Sequence, residues 1–277
     1  MGRAGTLNAD ARRRISMSEA EMNSTLPNGA DGAVRQYSLA AVLAVWVAAA
    51  APMGILAWII APAVAGSAAS DRRFVVILIG ALTVGLIWQC VLAIALVYRE
   101  RRSLRWPVLR EALWLRAPAN PAGQRGGRLW LWVLPFIVGF GVLQLVPFGV
   151  HGPSNRDFGV FLASESGHET LRGNWALFAL ILVLFLFNTV LGEELLFRGL
   201  LLPRMRGVFG RADWIVNGVL FGLYHVSQPW SIPMSIVAGV FLFAYPTRRF
   251  QSAWMGIIVH SAQSAAFAGI VLSVVVG

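Results

Sequence analysis

Long apolar runs separated by short polar segments fill most of this 277-residue chain, and they limit what it can fold into. Hydrophobic residues make up 57% of the chain and charged residues only 13%, whereas soluble domains carry about 25% charged residues. A membrane-spanning helix needs about 20 mostly apolar residues. The composition excludes a disordered chain and argues against an ordinary water-soluble enzyme. It predicts an all-α, polytopic integral membrane protein.

Seven stretches are predicted to be transmembrane helices, although the fifth and sixth are short. They are Ser38–Ala65, Phe74–Tyr98, Leu129–Val150, Asn174–Leu202, Ala212–Ser227, Ile232–Tyr245 and Ala253–Val276. The polar residues 1–37 lack an apolar core and are expected to form a disordered cytoplasmic tail. The first three helices then fall within residues 38–173, and a C-terminal core covers residues 174–277.

The placement of arginine supports this count, because cytoplasmic segments of membrane proteins accumulate positive charge. All 23 basic residues are arginines, and the formal net charge is +10. With seven spans, 18 arginines lie on one side, in residues 1–37, 99–128, 203–211 and 246–252, and only four lie on the other. The N-terminus is therefore predicted to be cytoplasmic and the C-terminus external, in a multi-pass protein of the plasma membrane.

The same arginines bear on the expected partners. They alternate with apolar runs, so anionic lipid headgroups are expected as partners and nucleic acid is not. Within the basic segment 99–128, residues 103–116 space Trp106, Leu109 and Leu113 at helical intervals, which predicts an amphipathic helix on the cytoplasmic surface.

Two glutamates and two histidines fall inside three predicted spans, where charge is costly and usually functional. Glu193 and Glu194 end the fourth span, His225 lies in the fifth and His260 in the seventh. Depths counted at about 1.5 Å per helical residue allow these side chains to meet in the cytoplasmic half of the bilayer. A site between helices is predicted there.

The local helical spacing separates the two glutamates. Glu194 and Arg198 lie four residues apart, so an ion pair between them is expected. Glu193 points about 100° away around the helix and has no obvious local partner, so it should meet another helix or water. Asn188 and Asn217 are expected to form interhelical hydrogen bonds.

One acid and two imidazoles can activate a water molecule for attack on a carbonyl group, in two ways. Glu193 and His225 can polarise the water directly while His260 and a neighbouring donor stabilise the oxyanion. Alternatively, Glu193, His225 and His260 hold Zn²⁺, whose bound water is the nucleophile. The HExxH motif of zinc proteases is absent. A serine nucleophile at Ser261 or Ser264 is disfavoured because the G-x-S-x-G motif is also absent.

Three short motifs occur in order at these positions. Residues 193–199 read EELLFRG, residues 221–225 read FGLYH, and His260 follows a GIIV run. They resemble the EExxxR, FxxxH and HxxxN motifs of the CPBP family, which contains CAAX prenyl endopeptidases and bacteriocin-processing or immunity-related membrane proteins. The resemblance covers roughly residues 174–272.

The resemblance implies an intramembrane endopeptidase, often described as a metalloprotease, with a peptide or lipidated-protein substrate. In that case Glu193 and His225 activate water, His260 stabilises the tetrahedral intermediate, and Glu194 and Arg198 complete the first motif. The chain departs from the family at Ser264, where asparagine is expected, so Ser264 or Gln263 must replace that donor or activity is reduced.

Two other functions stay open at this stage. A catalytically inactive immunity or scaffold protein of the same fold is consistent with the Ser264 departure. A proton-coupled transporter is also compatible with intramembrane carboxylates and histidines, although the sequence shows no inverted repeat. Neither the substrate nor a dependence on metal follows from the residues.

Overall fold

The computed structural model describes residues 34–146 and 150–277, and all regular secondary structure within them is helical. Seven principal helices follow one another along the chain: α1 Leu39–Ala65, α2 Asp71–Arg101, α3 Gly127–Gln144, α4 Trp175–Arg204, α5 Asp213–Tyr224, α6 Pro229–Phe250 and α7 Ala253–Val276. Residues 1–33, which make up most of the predicted tail, lie outside the described residues.

Of these seven principal helices, six are long and apolar enough to cross a membrane. The exception is α5, which covers only 12 residues of the predicted fifth span. At 1.5 Å per residue it rises about 18 Å, which is short of a hydrocarbon core of about 30 Å. Helical backbone stops at His225, where ψ is 39°. A count of seven transmembrane helices is therefore not confirmed.

The chain around α5 nevertheless connects the two ends of the helical bundle. At its start, Asp213 accepts a hydrogen bond of 2.8 Å from Arg248, near the arginine-rich end of α6. At its far side, Trp230 packs so closely on Gly152 that a Cβ on that glycine would lie 2.3 Å from the indole. Residues 213–230 thus run from the arginine-rich end to the segment that joins α3 and α4.

Short helices occupy the connections. The connection between α2 and α3 contains a helix at Trp106–Ala112, shorter than the predicted amphipathic segment, with the Trp106 side chain exposed and Leu113 buried just after the helix ends. Between α3 and α4 lie the helices Phe158–Leu162 and Glu165–Leu171. Arg206–Phe209 follows α4.

Two π-helical turns, at Phe187–Leu191 and Leu195–Leu201, interrupt α4 near its middle. Between them Gly192 leaves helical geometry, with φ −99° and ψ −87°. A Cβ at Gly192 would lie 2.5 Å from the Phe187 carbonyl oxygen and 2.8 Å from that of Leu86, so only glycine allows α2 to approach here. Such π turns frequently occur at functional sites, and these flank the two glutamates.

Small residues bring α5 and α6 together. A Cβ on Gly218 would lie 2.4 Å from the Val240 backbone, and one on Gly222 would lie 2.7 Å from the Ile236 nitrogen. Close backbone approach through glycines four residues apart is typical of packed membrane helices. Asn217 lies on the same helix and donates a 2.9 Å hydrogen bond to the Phe197 carbonyl of α4, an interhelical hydrogen bond of the kind the sequence predicts.

A buried ion pair joins the ends of α2 and α4. Arg204 binds Glu100 through two nitrogens, at 3.1 and 2.7 Å, and donates to the carbonyl oxygens of Ala112 and Leu200. Tyr37 donates its hydroxyl proton to Glu100, and burial together with this hydrogen bond raises the pKa of that hydroxyl. The chain just before α1 is therefore fixed to the arginine-rich end of α4.

Candidate functional site

Glu194 lies at the centre of a buried charge cluster. Its Oε1 is 3.2 Å from Nη1 of Arg198 and 3.0 Å from Nδ1 of His260, and the glutamate and arginine side chains are wholly buried. The ion pair four residues apart that the sequence predicts is therefore present. Because the same carboxylate oxygen contacts Arg198 and His260, it fixes the positions of both side chains.

Aromatic rings enclose the guanidinium of Arg198. Its Cζ lies 3.9 Å from the ring centroid of Phe221 and 5.1 Å from that of Phe243, and Nη2 donates to the Gly239 carbonyl at 3.4 Å. Cation–π contacts partly offset the removal of the charge from water. Arg198 thus ties α4 to α5 and α6 and does not reach a cavity.

Glu193 is buried and has two polar partners. With its amide oriented to satisfy both groups, Asn188 donates to Oε1 at 2.8 Å and to Oε2 at 3.2 Å. The Tyr224 hydroxyl lies beside this carboxylate in the same cavity wall and interacts with it electrostatically. The sequence predicts no local partner for Glu193, and this is wrong. Asn188 lies five residues earlier, and the intervening π turn brings residues i and i+5 to the same side of the helix.

His225 lies just after the last residue of α5, and its ring orientation is fixed by its own backbone. Nδ1 is 2.9 Å from the carbonyl oxygen of Phe221. A carbonyl only accepts, so Nδ1 carries the proton and Nε2 presents a lone pair. The end of helical geometry at His225 turns the imidazole towards a cavity that it shares with Glu193.

His260 in α7 is held between aromatic rings. It stacks on Phe243 with centroids 4.6 Å apart and an interplanar angle of 19°. Phe221 meets both histidines edge-on, at 6.1 Å from His260 and 4.9 Å from His225. With Nδ1 bound to Glu194, the other ring nitrogen is the one available to a substrate.

Two adjoining cavities bring these side chains together. The larger, of about 1070 Å³, is bordered by Glu193, Tyr224 and His225, and the smaller, of about 190 Å³, by His225 and His260. Asn188, His225 and Gln263 border both cavities. The structure thus gathers Glu193, His225 and His260 from α4, the end of α5 and α7 around two cavities that share wall residues.

The larger cavity extends away from the arginine-rich ends of the helices. It is lined by the first half of α2, the first part of α4 and the later part of α7, together with residues between 150 and 164. Much of its wall is apolar, including Leu78, Ile79, Leu82, Ile181, Phe185 and Phe267. Polar residues of the α3–α4 connection, among them Asn155 and Arg156, also border it, so an apolar chain could pack only against the apolar part of the wall.

Ser264 is buried and borders only the larger cavity, whereas Gln263 borders both. The Ser261 hydroxyl donates to Thr189 Oγ1 at 3.1 Å, so it forms a hydrogen bond between α7 and α4. Of the two residues that could replace the family asparagine, Gln263 lies closer to the space in front of both histidines.

The predicted zinc set of Glu193, His225 and His260 stays a prediction. Within residues 34–146 and 150–277, no three His, Cys, Asp or Glu side chains lie together as a metal site requires. No step below is assigned to a metal.

Three polar residues around Glu193 were absent from the predicted site. The sequence predicts an interhelical hydrogen bond for Asn188 and gives no site role to Tyr224 or Gln89. Gln89, in the middle of α2, donates to the Tyr224 hydroxyl and is fully buried. A lone amide within an apolar span was the available signal for Gln89, since buried polar groups in a membrane need partners.

Comparison with known proteins agrees with the motifs. Residues 174–266, which contain all six predicted site residues, match the family model described as Rce1-like, type II CAAX prenyl endopeptidase Rce1-like. No curated protein and no solved structure matched the chain. The helices and this match together describe a multi-pass membrane protein. The similarity to the type II CAAX prenyl endopeptidase Rce1-like family thus covers residues 174–266, about a third of the chain.

Proposed function

We propose that this protein is an intramembrane endopeptidase in which Glu193 and His225 activate a water molecule for peptide hydrolysis. One observation carries the proposal: Glu193 and His225 border the same cavity. Glu193 is fixed by Asn188, and Nε2 of His225 is left as an acceptor by the bond from Nδ1 to Phe221. Two acceptors facing one space can orient a water molecule and remove its proton.

The chemical steps follow from these positions. The water gives a proton to Glu193 as its oxygen bonds to the carbonyl carbon of the scissile peptide. His260, with Nδ1 directed to Glu194, donates from its other ring nitrogen, when that nitrogen is protonated, to the oxyanion. The Gln263 amide provides a second donor. When the C–N bond breaks, the proton held by Glu193 passes to the leaving amine.

The apolar wall of the larger cavity supports a substrate with a hydrophobic chain next to the scissile bond. The matched family is described by its action on CAAX prenyl peptides, so a lipidated peptide is the first substrate class to test. We further propose the plasma membrane as the location, with the N-terminus cytoplasmic and membrane lipids as neighbours.

The test uses purified full-length protein and two internally quenched peptides that end in a CAAX sequence, one with a farnesylated cysteine and one without lipid. Wild-type protein should cleave at least one of them, and Glu193→Ala should abolish cleavage while remaining folded and inserted. Glu165→Gln, in the exposed connection before α4, is the control and should keep the wild-type rate.

The Ser264 departure favours one other candidate, an inactive immunity or scaffold protein of the same fold. In that case the wild-type protein cleaves neither peptide and Glu193→Gln keeps the cellular phenotype. Uptake of a labelled solute into proteoliposomes would instead point to a transporter.

A further inference from the structure

Gln89 is a buried amide in an otherwise apolar part of α2, outside the family-matched residues 174–266. Its Nε2 donates to the Tyr224 hydroxyl, 135 residues away along the chain. Replacing a buried hydrogen-bonded pair by apolar groups of the same shape is often neutral for stability. Stability alone therefore does not account for an amide at this position.

The direction of this hydrogen bond determines what Tyr224 can do. An amide nitrogen only donates, so the tyrosine oxygen accepts from Gln89 and its own proton is free for another partner. We assign that proton to the Glu193 carboxylate, which borders the same cavity wall and interacts electrostatically with the hydroxyl. Tyr224 is almost fully buried and lies beside Glu193 in the wall of the larger cavity.

The Glu193 carboxylate therefore accepts from two elements. Asn188 contacts both of its oxygens from the same helix, and Tyr224 approaches from α5. Donors on two sides restrict rotation of the carboxylate about its last bond. Misplacement of a catalytic group by about 1 Å can cost 10²-fold in rate, so such restriction matters more to catalysis than to folding.

Resting on the proposed function, we propose that Gln89 and Tyr224 form a hydrogen-bond chain that, together with Asn188, positions Glu193 for water activation. Gln89 and Tyr224 are positioning residues: neither receives the proton of the water, and Gln89 acts only through Tyr224. The N-terminal half of the chain thereby contributes to a site whose motifs all lie in the C-terminal half.

The experiment compares Gln89→Leu, Tyr224→Phe and the double variant in the full chain, with whichever of the two CAAX peptides the wild-type protein cleaves. Each single variant should lower kcat by about 10-fold and leave KM unchanged. The double variant should lose no more than Tyr224→Phe alone, since Gln89 acts through that hydroxyl. Losses that multiply, or kcat within twofold of wild type for either single variant, would overturn the proposal.

Thr83→Val is the matched control for Gln89→Leu. Thr83 is also buried on α2, but its hydroxyl bonds the Ile79 carbonyl of its own helix. The substitution removes a polar group from the same helix without touching Tyr224, and kcat should stay within twofold of wild type. An equal loss in Thr83→Val would assign the effect of Gln89 to helix packing and contradict the positioning role.

A second measurement needs no substrate. The chain has only four tyrosines, so 3-fluorotyrosine labelling gives few ¹⁹F resonances, and the one missing in Tyr224→Phe belongs to Tyr224. This resonance should shift in Gln89→Leu and in Glu193→Gln but not in Thr83→Val. A resonance insensitive to Glu193→Gln would overturn the hydrogen-bond chain. If the wild-type protein cleaves neither peptide, the proposed function fails. The ¹⁹F spectrum still tests the contact between Tyr224 and Glu193 in that case.

Discussion

Nδ1 of His260 lies 3.0 Å from Oε1 of Glu194, and both side chains are buried. Because the carboxylate accepts from this nitrogen, it orients the ring and leaves the opposite nitrogen to face the smaller cavity. Arg198 contacts the same oxygen at 3.2 Å. In the proposed mechanism, Glu194 acts through His260, whereas its neighbour Glu193 contacts the water.

The first prediction concerns Glu194→Gln, which removes the charge shared by Arg198 and His260. Breaking a buried ion pair by changing one partner typically costs about 3–5 kcal/mol, and a misoriented imidazole lowers kcat by about 10²-fold or more. Thermal unfolding in detergent and peptide cleavage measure the two effects. A variant with wild-type unfolding temperature and kcat within twofold would contradict this role of Glu194.

A second prediction uses Gly256, which lies on α7 directly against the charge cluster. A Cβ there would be 2.6 Å from Glu194 Oε2 and 2.9 Å from Thr247 Oγ1. Gly256→Ala should therefore displace the carboxylate, lowering both the unfolding temperature and kcat. Gly269→Ala on the same helix is the control, because a Cβ there meets nothing within 4 Å. If the two variants have the same unfolding temperature and kcat, the prediction is wrong and the charge cluster tolerates a displaced Glu194 carboxylate.

The third prediction separates the two residues that could replace the family asparagine. Gln263 borders both cavities and Ser264 only the larger one, so Gln263→Leu should reduce kcat more than Ser264→Ala. Loss of one oxyanion donor costs about 10²–10³-fold, and this magnitude is expected for Gln263→Leu. A larger loss of kcat in Ser264→Ala than in Gln263→Leu would assign the donor to Ser264. Complete loss of cleavage in Ser264→Ala alone would support Ser264 as a nucleophile.

The fourth prediction concerns orientation in the membrane. Cys90→Ala removes the single native cysteine. In this background, Ser154→Cys places an exposed thiol in the α3–α4 connection, and Ala122→Cys places one in the α2–α3 connection. The arginine distribution predicts that an impermeant maleimide labels intact cells at residue 154 and not at residue 122. The opposite pattern would place the cavity end of the bundle in the cytoplasm.

Much of the architecture follows from the sequence because transmembrane helices are long, apolar and bounded by charge. Six of the predicted spans correspond to long helices, and the Glu194–Arg198 pair forms at its helical spacing. The fifth span differs because an apolar run does not reveal where backbone leaves helical geometry, which here occurs at His225.

The partners of Glu193 could not be predicted from the sequence. A regular α-helix places residues 188 and 193 about 140° apart, and the sequence does not reveal the π turn that brings them together. The bond from Gln89 to Tyr224 joins segments 135 residues apart, so it depends on tertiary packing. The motifs predict which residues react, while the packing of α2 on α4 determines what surrounds them.

The central claim is that Glu193 and His225 act together on one water molecule, and the rates of Glu193→Gln, His225→Gln and the double variant test it most directly. Residues that act as a unit give non-additive losses. Each single variant should therefore lose about 10²-fold or more in kcat, and the double variant should be no slower than the slower single one. His168→Gln, in the exposed connection before α4, should cleave at the wild-type rate. A single variant that keeps wild-type kcat, or losses that multiply in the double variant, would contradict the claim.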